Sequence, residues 1–450
     1  MIRTPLRDLA AALAAAVLVV AAVLVGRHIH FTHDTLHVGW PPLYADWRPH
    51  VGPGTPAALV VAAAVVAYGS ALADRLPWRA LLAAAWGTAM AWSWSLALID
   101  GWHRGIAVRL TTRYEYLQVI DRFHDIPATL RDFTHHILLG TPNHWPPHVA
   151  GHPPGATLTF VFLDRIGLGG GGWAGTWCIT VGATAGLAVL VAVRALAGDD
   201  LARRAAPFLV MAPAAVWMGT SADGYFAAVA AWSVALLALA VTGPPGPRAR
   251  AAAFGSGLLF GLTCYLSYGL TLFALIAAGV VLLGRNRARP LPLLLAGATI
   301  VPLAFTLTGF NWWEAYHLVV ERYYQGAGGF RPYGYWVWAN LACTVFGVGL
   351  AVAAGLRRCG AVLAQPRGGI VARPGGPVAD ARLALLVSAA VLAVLAADLS
   401  GMSKAETERI WLPFAMWLLP ACAFLARARA WLTAQASLAL LVNHLLLTGW

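Results

Sequence analysis

Apolar residues run along this chain in solid blocks, with no alternating or 3.6-residue rhythm inside them. The blocks fall at roughly residues 9–26, 57–73, 80–99, 173–194, 205–219, 224–243, 252–284, 290–308, 336–356, 384–398, 409–426 and 431–449. Strands of an outer-membrane barrel alternate apolar and polar residues, and these blocks do not. A helix is the remaining structure that satisfies its own backbone polar groups in lipid. The pattern therefore predicts an all-α polytopic membrane protein with about 12–14 transmembrane helices. Block 252–284 is too long for one crossing, since about 20 residues span the hydrocarbon core. The turn Ser267-Tyr268-Gly269 is expected to split it into a hairpin. Segment 156–167 is short and carries Asp164 and Arg165, so it reads as interfacial or as dipping into the bilayer.

Residues 100–155 form the long polar interruption. They hold five of the 19 acidic residues and seven of the 14 histidines, and they end in Gly151-His152-Pro153-Pro154-Gly155. The chain accordingly divides into an N-terminal three-helix segment (1–99), a long loop with juxtamembrane helices (100–155) and a central bundle (156–356). A linker (357–383) and the C-terminal helices (384–450) follow. Arg285, Arg287 and Arg289 mark one cytoplasmic turn, and Arg357, Arg358, Arg367, Arg373 and Arg382 mark the linker as another. The Pro/Gly-rich stretch from Gln365 to Pro377 reads as flexible. This orientation puts loops 100–155, 309–335 and 399–408 together on the extracytoplasmic face. The sidedness of 156–250 depends on whether segment 156–167 crosses the membrane.

Composition agrees with a membrane protein: 59% of residues are hydrophobic, 11% are charged, and the mean hydropathy is +0.68. The net charge of +12 does not point to nucleic acid, because the arginines scatter to helix ends, where they set topology and touch lipid headgroups. Four of the five cysteines, Cys178, Cys264, Cys343 and Cys422, lie in apolar blocks and read as small core residues. His28, His30, His33 and His37 follow no standard zinc spacing, so no metal and no cofactor are expected. The apolar stretch 10–26 after Arg3 and Arg7 lacks a clean cleavage site before His28 and reads as a retained first helix.

The candidate chemistry lies in the three polar loops. Glu115 in Tyr114-Glu115-Tyr116, and Asp121 soon after it, are carboxylates near the membrane surface, where partial desolvation suits a general base. The same spacing also suits a solvated amphipathic helix. Pro153 and Pro154 fix a helix entrance and hold His152 at it. Trp312, Trp313, Tyr323 and Arg331 crowd the second loop, as an interfacial aromatic belt or as platforms for sugar rings. Lys404, the only lysine, and Arg409 stand at a span entrance, where they can hold a lipid phosphate or form local salt bridges to Glu406 and Glu408. Asp223 in Ser221-Ala222-Asp223 reads as the N-cap of helix 224–243.

The order of these features resembles the GT-C superfamily of membrane glycosyltransferases, which includes protein O-mannosyltransferases, the aminoarabinose transferase and actinobacterial mannosyl- and arabinosyltransferases. Tyr114-Glu115-Tyr116 matches the acidic motif of an outer loop, and His152-Pro153-Pro154 matches the His-Pro-Pro motif at a helix entrance. Arg409-Ile410-Trp411-Leu412-Pro413 matches the late motif, and Ser221-Ala222-Asp223 the mid-chain helix start. The likeness covers most of 90–426. The chain departs from the pattern in lacking a second acidic residue beside Glu115 and in placing two extra spans before the loop. A different alignment uses Asp34 with Trp40-Pro41-Pro42-Leu43, but the gap between them leaves no room for the intervening helix.

The resemblance implies inverting sugar transfer, in the cell membrane, from a polyprenyl-phosphate-linked donor to a glycan, lipid or protein acceptor on the extracytoplasmic face. Glu115 or Asp121 would be the base, and Arg409, Lys404, Arg331 and His152 would surround the phosphate. Tyr323, Trp312 and Trp313 would stack on sugar. Two other readings stay open: a lipid or polysaccharide-precursor transporter, or a non-catalytic cell-envelope scaffold.

Overall fold

The computed structural model describes residues 3–365 and 376–449, and nearly all of its regular structure is helical. Among the described residues seven spans are long and apolar enough to cross a membrane: Pro5–His33, Thr55–Arg75, Trp78–Asp100, Gly171–Ala197, Ala222–Thr242, Pro247–Leu266 and Gly376–Leu399. Two bent pairs raise the number to nine. Leu291–Leu307 meets Trp312–Gln325 at 79°, and Tyr333–Val348 meets Leu350–Leu363 at 106°. Tyr268–Leu283 and Leu412–Phe424 are shorter apolar helical stretches. The protein is thus an all-α, multi-pass membrane protein.

Fewer full spans appear than the apolar blocks suggested, because hydrophobicity does not measure helix continuity. Block 205–219 contains the end of a 12-residue helix, Asp199–Val210, with Pro207 inside it. Block 409–426 is a chain of short helical pieces, with Pro413 and Pro420 each near the start of a new one. A proline removes a backbone donor and clashes with the preceding turn, so it starts helices more readily than it continues them. The break expected in 252–284 is present at Ser267, between Pro247–Leu266 and a tight turn that leads into Phe273–Leu283. The two halves pack on different partners, the first on Leu291–Leu307 and the second on Gly376–Leu399. The flanks of the expected linker are helical, ending at Leu363 and resuming at Gly376, while its middle, 366–375, lies outside the described residues.

Ala222–Thr242 is the central helix. It is apolar around its circumference and buried for most of its length among Gly171–Gly182, Ala185–Ala197, Pro247–Leu266 and Phe273–Leu283. A helix without a polar face belongs inside the bundle. Helices approach most closely through Gly257 and Gly261 against Leu291–Leu307: a Cβ at Gly257 would stand 1.9 Å from the Leu294 carbonyl. Small residues four apart allow such contact in lipid, where the hydrophobic effect does not drive helix association.

At one end of the bundle the polar segments gather into a cap. Ala45–Trp47 pairs antiparallel with Leu446–Thr448. The Leu139 N–H donates to Gln325 at 2.8 Å, which ties loop 100–155 to loop 309–335. Arg331 joins two further segments by donating to the carbonyls of Leu36 (3.0 Å), His37 (3.3 Å) and Lys404 (2.8 Å). The polar loops therefore share one site region, as their expected common sidedness required.

Candidate active site in the polar cap

Glu115 is held in place by its own neighbours. Its backbone is extended, and the tight helical turn Tyr116–Phe123 begins immediately after it. Tyr116, Val119 and Phe123 turn into the core, which draws Glu115 in as well; its side chain is 5% exposed. One carboxylate oxygen, Oε1, lies 2.9 Å from His148 Nδ1. The other, Oε2, is buried and has no hydrogen-bond partner. A buried carboxylate oxygen left unpartnered is costly unless something outside the chain completes it.

His148 sits on a single helical turn, Pro147–Ala150, entered through Pro146. Its N–H donates to the Tyr114 carbonyl at 3.0 Å, so backbone and side chain both clasp the segment around Glu115. One turn later, His152 Nδ1 bonds the His148 carbonyl at 2.8 Å, and the ring packs edge-on against Tyr116 at 5.8 Å. Burial pushes the His152 pKa down to about 4, so its ring is neutral near pH 7. His152 is therefore a shaped, uncharged wall beside Tyr116. Burial also holds the Tyr116 phenol well above its ordinary range, with the negative charges of Asp223 and Glu115 adding to the effect.

One cation of the site comes from late in the chain. Arg409 is buried and paired with Asp223 through Nη1, and its Nη2 lies 3.4 Å from Glu406 Oε2. Burial alone would lower its pKa, but Asp223, Glu406 and Glu115 outweigh that and hold it charged. Ser221, not Asp223, caps the central helix: Ser221 Oγ accepts from the Asp223 N–H at 3.1 Å and donates to Asp223 Oδ2 at 3.0 Å. The aspartate is thereby turned toward Arg409. A cavity of about 10 Å³, close to the size of one water, is lined by Glu115, Tyr116, His148, Ser221, Arg109 and Arg409. Arg109 is anchored there by Asp100 at 2.7 Å and the Thr448 carbonyl at 2.9 Å.

The remaining candidates are placed elsewhere. Asp121 is exposed on the outer side of its turn and does not line the cavity. Arg331 spends its donors on three backbone carbonyls and on Glu406 at 3.4 Å. Lys404 Nζ donates to the Gly328 carbonyl at 2.9 Å and lies 5.3 Å from the Tyr324 ring. Tyr323 Oη accepts from the Lys404 N–H at 3.0 Å. Trp312 Nε1 donates to the Cys264 carbonyl at 3.0 Å, and Trp313 is 68% exposed. These side chains build and rim the cap. Two cavity residues, His148 and Arg109, escaped the sequence reading. His148 carried a usable signal: it follows Pro146-Pro147 and stands four residues before His152. Among the described residues no group of three or more His, Cys, Asp or Glu side chains is gathered as a metal would need.

No family model and no curated protein matches the chain. Solved structures do. An oligosaccharyltransferase from Archaeoglobus fulgidus, in complex with zinc and sulfate, is similar at 16% identity and a TM-score of 0.48, over 80% of this chain and 51% of its own. ArnT from Cupriavidus metallidurans in the apo state is similar at 16% identity and a TM-score of 0.44, over 72% of this chain and 56% of its own. The same protein bound to undecaprenyl phosphate gives 16% identity and a TM-score of 0.41, over 69% and 61%. The chain spans about half the length of the first of these proteins.

Proposed function

We propose that this protein transfers a sugar from a polyprenyl-phosphate-linked donor to an acceptor hydroxyl on the extracytoplasmic face of the membrane, with inversion at the anomeric carbon. The observation that carries the reading is the shared cavity, in which the unpartnered Glu115 Oε2 meets Arg409 and Arg109. A base and two cations around one space are what a displacement at a sugar phosphate requires.

In this mechanism Glu115 Oε2 takes the proton of the acceptor hydroxyl as its oxygen attacks the anomeric carbon. The bond from that carbon to the phosphate oxygen breaks, and its electron pair leaves with the polyprenyl phosphate. Arg409 and Arg109 compensate the negative charge that grows there. His148 orients Glu115 through Oε1 and leaves Oε2 for the acceptor. Arg331 and Lys404 hold the cap together instead of touching phosphate, since neither lines the cavity and both donate to backbone carbonyls of the cap. A sugar ring exceeds the space of one water, so the loops around the cavity separate to admit substrate.

The test uses the full chain in proteoliposomes with radiolabelled polyprenyl-phosphate hexoses and pentoses. Wild type should consume donor and release polyprenyl phosphate, and Glu115→Gln should not. Movement of intact donor across the bilayer with no cleavage would instead favour the transporter. Neither activity in wild type would favour the scaffold.

A further inference from the structure

The central helix begins beside Asp223, in the cap, and its 21 residues carry the chain about 30 Å to the opposite membrane face. There the structure holds a second cavity of about 410 Å³, in the size range of small-ligand sites. It lies between two turns, the one that follows Thr242 and the one that precedes Leu291. Gly243, Gly246, Asn286 and Leu293 line it, with Arg250 and Arg289 at its rim. The turns are bound to each other: the N–H groups of Arg285 and Asn286 both donate to the Val241 carbonyl at 3.0 Å, and Asn286 Nδ2 donates to the Gly243 carbonyl at 3.1 Å. The cavity is therefore preformed.

Its charge is one-sided. Arg248 and Arg250 lie at the start of Pro247–Leu266, just after the first turn, Arg285, Arg287 and Arg289 lie in the second, and the chain contains no Asp or Glu between Asp223 and Glu314. Elsewhere several arginines do have carboxylate partners: Arg357 and Arg358 hold Asp8, and Arg203 holds Asp199. Arginines that only oriented a membrane protein would need no cavity between them. The rest of the lining is largely apolar, at Ala240, Pro245, Ala249, Pro290 and Leu293, and the helices that flank the two turns carry the exposed leucines Leu239, Leu282 and Leu295. A cationic rim above a lipid-facing apolar surface matches an amphiphile with an anionic head.

We propose that this cavity binds the phosphate headgroup of an anionic glycerophospholipid, with Arg250 and Arg289 on the phosphate oxygens and the acyl chains along the exposed leucines. The site lies on the face opposite the cap and is independent of the glycosyl-transfer reading.

The experiment is native mass spectrometry of the full chain in detergent, titrated with phosphatidylglycerol or with phosphatidylcholine as probes. Wild type should retain phosphatidylglycerol and not phosphatidylcholine, and R250Q/R289Q should weaken that retention about tenfold. Both arginines are exposed, so the melting temperature in lipid-free detergent should not change. The control R427Q/R429Q removes the same charge at the start of Ala428–Leu445, away from the cavity, and should leave retention intact. Equal weakening by the control would overturn the site in favour of a diffuse surface potential. Retention of both lipids alike would overturn the role of charge. Displacement by an equal concentration of inorganic phosphate would overturn the lipid and make this a site for free phosphate.

Discussion

Glu115→Gln separates the proposed base from the architecture. Glutamine keeps the side-chain volume and a polar group within reach of His148, so the packing of Tyr116 and the Pro147–Ala150 turn should persist. What disappears is the proton acceptor at Oε2, the one carboxylate oxygen at the cavity without a protein partner. General bases contribute roughly 10²–10⁴-fold, so kcat for donor turnover should fall by about two to four decades, equivalent to about 3–5 kcal/mol of barrier. The assay is single-turnover release of polyprenyl phosphate in proteoliposomes, with the melting temperature of each variant measured in parallel. Asp121→Asn is the matched comparison: it also removes one carboxylate from the same turn, but from its exposed side, and should leave turnover within twofold. A folded Glu115→Gln retaining turnover within threefold of wild type would refute the base assignment. A collapse confined to Asp121→Asn would move the chemistry to the outside of the turn.

Replacing Arg409 by glutamine or Asp223 by asparagine breaks a buried ion pair and should cost about 3–5 kcal/mol in thermal unfolding, with partial recovery in the double variant; simple additivity would show that the pair is not coupled. Lys404→Ala should lower the melting temperature by removing the bond to the Gly328 carbonyl while moving the donor KM little; a large KM effect alone would return Lys404 to the phosphate site. Burial pushes the Glu408 pKa up from about 4.5 to about 7, so folding favours its protonated form. Its contribution is fully present below the unfolded pKa and is lost as pH rises toward 7, and Glu408→Gln should flatten stability between pH 5 and 7. His152 has the opposite sign: its pKa is depressed to about 4, so stability falls as pH drops from about 6.5 toward 4. His152→Asn should remove that acid loss, and an unchanged acid limb would place the sensitive group elsewhere.

Fold class was legible because lipid imposes so few solutions: an apolar block in a membrane must be a helix. Helix continuity was not, because it depends on where backbone bonds are interrupted. The bend after Leu307 falls at Thr308-Gly309, where the apolar block ends, but the bend after Val348 falls at Gly349, which hydropathy counts as an ordinary member of block 336–356. Gly309 and Gly349 adopt φ of +92° and +81°, conformations glycine takes without strain, and at Gly349 the chain turns while staying apolar.

The site divides along similar lines. Glu115 and Arg409 could be chosen because each lies in a short polar motif beside an apolar span, and the structure brings both to one cavity. The other cations, Arg331 and Lys404, do not line that cavity, and the reason is physical. A sequence displays charge but not whether the charge is already satisfied, and in a loop-rich cap the commonest acceptor is a backbone carbonyl that no motif records. Arg331 and Lys404 meet such carbonyls, so their value lies in tying residues 36–37, 328 and 404 into one surface. Glu406 links that scaffold to the cavity, since Oε1 reaches Arg331 and Oε2 reaches Arg409, both at 3.4 Å. Both contacts are longer than a strong charge-assisted bond, whereas the bond from Arg331 to the Lys404 carbonyl is a normal 2.8 Å. Glu406 is thus the weaker joint between cap and cavity, and Glu406→Gln should loosen the hold on Arg409 while the cap stays assembled. The signature is a donor KM that changes at constant melting temperature; a drop in melting temperature as large as that of Arg331→Gln would mean that cap and cavity are a single unit.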